Sequence, residues 1–198
     1  MRLRSRRPCF TIEGNFYIYL ALFILLLPIR WVAAWAAAAV IHETGHIVAI
    51  ICCRGRIREI RLRSAGALIT TDSLTNRVEC ICTITGPAAS LIGALFSVYF
   101  PLFGVFCTIQ LLFNLLPLYP MDGGRILNCI LLRFYPKANV TIITRFVRIF
   151  FSLIVIAFGA VISLCYPLGL LPAVACFLVV LRCVKANIPC KRRRLIVQ

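Results

Sequence analysis

The chain has 198 residues, 62% of them hydrophobic, and carries 22 Lys and Arg against six Asp and Glu, for a net charge of +16. A soluble domain of this size needs a polar exterior, which runs such as "LIVIAFGAVISLCYPLGLLPAVACFLVVL" cannot supply. Composition therefore points to an integral membrane protein.

Stretches near the ~20 apolar residues that cross a bilayer predict an all-α polytopic membrane fold of about six transmembrane helices. A basic N-terminal tail, residues 1–13, leads into a first span from Phe16 to Pro28 and a second from Trp31 to Cys53. Between the second and third spans, "RGRIREIRLRSAGALITTD" alternates Ile60 and Leu62 with Glu59, Arg61 and Arg63. A turn at Ser64-Ala65-Gly66 follows, which predicts a small β-hairpin. The third span runs from about Cys80 to Phe100, the fourth from Leu102 to Leu118, the fifth from Ile142 to Cys165 and the sixth from Leu168 to Leu181. A basic tail, residues 185–198, ends the chain. No internal repeat or low-complexity linker divides it, so a single membrane-embedded domain, 1–198, is expected.

Only Arg30 lies in a loop of the opposite set; the other 21 basic residues fall on one face of this topology. The positive-inside rule assigns that face, with both termini, to the cytoplasm of a multi-pass cell-membrane protein. Topology thus accounts for the charge, and no nucleic-acid partner is expected. The opening "MRLRSRRPCF" and the apolar run after it have the look of a signal peptide. Cleavage would strand the remaining basic loops outside, so the first span is expected to stay. The eleven Cys form no CxxC pair, and most sit in apolar spans as packing residues.

His42-Glu43-Thr44-Gly45-His46 interrupts the second span and contains both His of the chain. This is the H-E-x-x-H pattern. On a helix the two imidazoles lie about 40° apart around the axis and about 6 Å along it, so both can reach one zinc ion. Glu43 beside them can take a proton from a water that the metal acidifies. An ionisable residue at that depth is costly without a partner, which weighs against an idle polar patch.

A third ligand has to come from elsewhere, and Asp122, closing the fourth span in "QLLFNLLPLYPMDGGRIL", is the best candidate. The second and fourth spans both run towards the cytoplasm, so Asp122 can meet the two His at a similar depth. Pro117 and Pro120 break the helix and Gly123-Gly124 permit turns, giving irregular backbone that can line a polar cavity. Asn114 can donate an amide hydrogen bond to a scissile carbonyl or its oxyanion.

"HETGH", "TGPAASLIGALF" and "NLLPLYPMDGGRIL" on successive spans resemble the site-2 protease family of intramembrane zinc metalloproteases, over about residues 15 to 185. The spacing of Asn114, Pro117, Pro120, Asp122 and Gly123 is most similar to the branch of the stage IV sporulation protein FB. The resemblance implies His42, His46 and Asp122 as ligands of one Zn2+, Glu43 as general base, six spans and a cytoplasm-facing site. It implies cleavage of a membrane-associated protein precursor, by analogy a sigma-factor precursor in sporulation. Regulatory membrane proteins are further candidate partners. Two departures stand out: only "KANIPCKRRRLIVQ" follows the last predicted span in this sequence, so regulation through a nucleotide-sensing CBS domain is not expected, and Thr44 sits where the family is commonly apolar.

A protease needs extended substrate backbone, so the hairpin edge, with Arg61 and Gly66, is expected to pair with an unwound substrate segment. Pro117, Pro120 and Gly123 are expected to line the substrate cavity. The competing reading is a zinc-binding adaptor without turnover, or a metal transporter. A transporter would spread ionisable residues over several spans, and an inactive relative commonly loses Glu43 or a ligand.

Overall fold

The computed structural model describes residues 9–63, 66–72, 74–165, 171–185 and 196–197. The predicted turn residues Ser64 and Ala65, and most of both basic tails, lie outside them. The chain forms two compact units, Met1–Asn114 with Arg192–Gln198, and Leu115–Lys191.

The first unit begins with strand β1 (Cys9–Ile12) and helices α1 (Gly14–Leu26) and α2 (Ile29–Cys52), separated at Pro28, which serves as the N-cap of α2. A tight C-terminal turn stops α2. Gly55 N–H donates to the Ile50 carbonyl at 2.8 Å and Arg54 N–H to that of Ile51 at 2.9 Å, with Arg54 left-handed at φ 57°. That is the Schellman arrangement, with arginine where glycine is usual. Gly55 is required one residue later, because a Cβ there would stand 2.9 Å from Ile50 Cγ2.

The expected hairpin is present as β2 (Ile57–Arg63) and β3 (Gly66–Thr71), antiparallel from Ile57↔Thr71 to Arg63↔Gly66. Two further strands were not predicted. β1 pairs with β2 in parallel, Cys9↔Glu59 to Ile12↔Leu62, and β4 (Ile196–Val197) pairs antiparallel with β3, giving the order β1-β2-β3-β4. A parallel pair needs a crossover, and here α1 and α2 supply it by running out and back. Cross-strand partners share a face, so Phe10, Ile12, Ile60, Leu62, Ala67 and Ile69 line one side and Thr11, Glu59 and Arg61 the other. Ile69 is fully buried against Ala49, Ile50 and Cys82, which seats the apolar face on the helices.

Helix α3 (Asn76–Leu95) packs along α2 and continues through a 3-10 turn (Phe96–Val98) into α4 (Pro101–Leu115). The contact between α2 and α3 is close. A Cβ on Gly45 would lie 2.4 Å from the Thr85 carbonyl oxygen and 2.8 Å from Ala89 Cβ.

The second unit contains α5 (Asp122–Phe134), α6 (Lys137–Cys165) and α7 (Leu171–Lys185) around Leu118, Val155, Val180 and Cys183. Two expectations are corrected here. Asp122 does not close the fourth span: α4 ends at Leu115, and Asp122 opens α5, an amphipathic helix with no counterpart among the predicted spans. Gly123 and Gly124 make no turn of their own but sit in the first turn of α5. They are small because the preceding loop folds back on them, and Cβ atoms there would meet the Leu115 carbonyl oxygen at 2.1 Å and Tyr119 N at 2.5 Å.

Among the described residues, three helical stretches are long and apolar enough to cross a membrane: Ile29–Cys52, Asn76–Val98 and Lys137–Cys165. α1 and α4 are apolar but shorter, and α7 has 15 residues. The protein is mostly helical with a small sheet, and three of the six expected spans meet the length a bilayer demands.

Candidate metal centre

Three residues of types that hold metal ions, His42, His46 and Asp122, are buried to 1% exposure or less. His42 and His46 stand one turn apart on the face that α2 turns to α3. Their rings meet edge to face, with centroids 4.9 Å apart at 81°.

The outer nitrogen of each ring is held by α3. His46 Nδ1 lies 2.8 Å from the Cys82 carbonyl oxygen, and His42 Nδ1 lies 2.8 Å from Ser90 Oγ. A carbonyl only accepts, so His46 Nδ1 carries the proton and its Nε2 carries a lone pair. That lone pair faces His42 Nε2 at 3.3 Å. Two Nε2 atoms facing each other, with both Nδ1 atoms engaged behind them, is the way metal-binding histidines are held in orientation. The residues fit a zinc ion.

Asn114, near the end of α4 and part-buried, places its Nδ2 3.3 Å from His42 Nε2. Glu43 is half-buried, and a Cβ on Gly66 would lie 3.8 Å from its Oε1. The start of β3 therefore passes beside the Glu43 carboxylate, at a residue whose φ of +120° suits glycine alone. Thr44 turns its hydroxyl back to the Val40 carbonyl at 2.7 Å, which satisfies it on an otherwise apolar face.

Arg61 is engaged within the sheet. Its Nη2 lies 2.7 Å from Glu59 Oε1 and its Nη1 3.6 Å from Glu13 Oε1, and Glu59 raises its pKa above the ordinary arginine value. Arg63 Nε donates to Glu13 Oε1 at 2.7 Å. These ion pairs tie β2 to the residue that precedes α1.

In the second unit Asp122 is the first residue of α5, where a carboxylate is favoured by the helix N-terminus. Arg125 Nη1, one turn on, lies 3.8 Å from Asp122 Oδ1, and both side chains are buried. Pro117 and Pro120 occupy the irregular segment between α4 and α5. Pro117, with Tyr119, Gly124, Asn128, Thr144 and Arg148, lines a small cleft.

Cys82, Gly86, Ser90 and Arg125 are not among the site residues that the sequence singles out. A signal for the first three was available, because "CTITGPAAS" spaces them four residues apart along one helix face.

No family model matches the chain. A zinc metalloprotease of Methanocaldococcus jannaschii is 29% identical over an alignment of 163 positions that covers 75% of this chain and 45% of that protein. The chain thus spans less than half the length of this curated relative. The solved site-2 protease from Methanocaldococcus jannaschii aligns with a TM-score of 0.65 at 22% identity, covering 95% of this chain and 97% of that one. The fold is that of a site-2 protease.

Proposed function

We propose that the chain is an intramembrane zinc metalloendopeptidase that cuts a membrane-associated protein precursor near the cytoplasmic membrane face. The observation that carries this reading is the pair of Nε2 atoms 3.3 Å apart, oriented by α3 and lying beside Glu43 on an apolar helix. The similarity to a protein named as a zinc metalloprotease supports it.

In this reading His42, His46 and Asp122 hold one zinc ion within a single membrane-embedded domain. When bound, zinc supplies Lewis-acid activation of a water and of the scissile carbonyl. Glu43 accepts the proton that water loses and returns it to the departing amine nitrogen. Asn114 donates from Nδ2 to the carbonyl oxygen as negative charge develops on it. Pro117, Pro120 and Gly123 border the substrate, and the hairpin receives it as an extended strand, with Gly66 leaving room beside Glu43 and Arg61 on the strand face. Both termini face the cytoplasm. A sigma-factor precursor in a spore-forming bacterium is the substrate to try first.

The test pairs candidate membrane-tethered precursors with the intact protein and with Glu43→Gln, with bound metal measured in both. Zinc in both and product only from the intact protein is expected. Equal cleavage by the two would remove Glu43 from the chemistry.

A further inference from the structure

We infer that α3 is a positioning element for the metal-facing imidazoles, with Gly86 providing the space into which His46 Nε2 projects and Ser90 fixing the His42 ring. This rests on reading His42 and His46 as metal ligands. Cys82, Gly86 and Ser90 recur every four residues along α3, so Cys82 and Ser90, about 12 Å apart, bracket the two His, which rise about 6 Å along α2. The helices run in opposite directions, so Cys82 meets His46 and Ser90 meets His42.

Gly86 lies between them. A Cβ there would stand 2.1 Å from His46 Nε2, 2.3 Å from Cε1 and 2.8 Å from Cδ2. All three are atoms of one imidazole, and the closest is the nitrogen that faces His42. Gly45, on the other helix, is different, because its Cβ would strike the backbone of α3 at Thr85. Gly45 lets the helices approach. Gly86 leaves the coordinating edge of a ring open, and an added methyl must turn that ring away.

Ser90 is fully buried, and its hydroxyl is the group that lies at His42 Nδ1. With His42 Nε2 as the metal-facing atom, Nδ1 keeps its proton and donates to Ser90 Oγ. Without that acceptor the ring is free to take the other tautomer, with a proton on Nε2 where the lone pair is needed. Gly86 and Ser90 are thus positioning residues that act through the two His.

The chain has only two His, so imidazole 15N NMR of the intact protein in detergent reads this site alone. Metal-free protein is expected to show His46 with an unprotonated Nε2. Gly86→Ala should shift the His46 signals, weaken Zn2+ binding by about 10- to 100-fold and alter the visible spectrum of the Co2+-loaded protein, while helical content stays unchanged. Ser90→Ala should move the His42 signals and weaken Zn2+ binding to a similar degree. Should Gly86→Ala fail to fold, Ser90→Ala carries the test. Unchanged Zn2+ affinity with unchanged His signals in the folded variants would overturn the inference. Failure of the intact protein to bind Zn2+ at all, with the NMR signals as expected, would instead count against the metal reading.

Discussion

His46 Nε2 faces His42 Nε2 at 3.3 Å, and each ring is anchored from behind by α3, one on the Cys82 carbonyl and one on Ser90 Oγ. An apolar pair of helices has little reason to bring two imidazoles edge to face in its interior, with their Nε2 atoms 3.3 Å apart, unless a shared ligand is to sit between them. Asp122, Asn114 and Glu43 acquire their proposed roles from that arrangement.

Replacing Asp122, the proposed third ligand, should affect both metal binding and folding. Asp122→Ala is expected to lower zinc content well below one ion per chain. It also leaves the buried Arg125 guanidinium without the carboxylate that now lies 3.8 Å away, so a loss of about 3–5 kcal/mol of stability is expected. Asp122→Asn keeps the shape and a hydrogen-bond acceptor and should retain more stability while still losing metal. Metal analysis alongside unfolding in detergent checks both.

Ile69 is the fully buried sheet residue of the cluster beneath the sheet. Ile69→Ala opens the cluster of Ala49, Ile50 and Cys82 and should destabilise the protein by about 2–5 kcal/mol. Phe10→Ala, on the same sheet face but 60% exposed, should cost far less. Denaturation midpoints of the two variants give the comparison.

Arg54 closes α2 in the left-handed region, which costs a non-glycine residue about 1 kcal/mol. Arg54→Gly should therefore stabilise the protein by about 0.5–1 kcal/mol, whereas Gly55→Ala should destabilise it by pressing on Ile50. A rise in melting temperature for the first and a fall for the second are the expected results.

If the hairpin receives substrate beside Glu43, replacing residues 57–71 with a flexible linker should abolish cleavage and leave zinc bound. Gly66→Ala should reduce turnover, because its φ of +120° is unsuited to alanine and its Cβ would point at Glu43 Oε1. Cleavage that survives the linker replacement would remove the hairpin from substrate binding.

What the sequence made legible is local in character. His42, Glu43 and His46 share one helical turn, so the spacing alone puts both imidazoles on one face. The alternation of Ile60 and Leu62 with Glu59, Arg61 and Arg63 likewise announces the hairpin. β1 escapes because its four residues, CFTI, sit in a basic tail and pair with β2 only after residues 13–56 have run out and back. α5 escaped because its polar positions resemble a loop when membrane spans are sought by hydropathy. The glycines of "DGG" suggest conformational freedom in the sequence, while the structure uses them for close approach to Leu115 and Tyr119. Ser90 and Gly86 look like ordinary small residues in an apolar span until α2 is laid against α3.

The most direct test of the central claim is cleavage of a membrane-tethered precursor by purified protein carrying a measured amount of zinc, with Glu43→Gln in parallel. The account predicts zinc in both proteins and a rate for Glu43→Gln reduced by about 10²–10⁴-fold, with chelator abolishing the activity of the intact enzyme and added zinc restoring it. Equal rates, or full activity in protein stripped of metal, would contradict it.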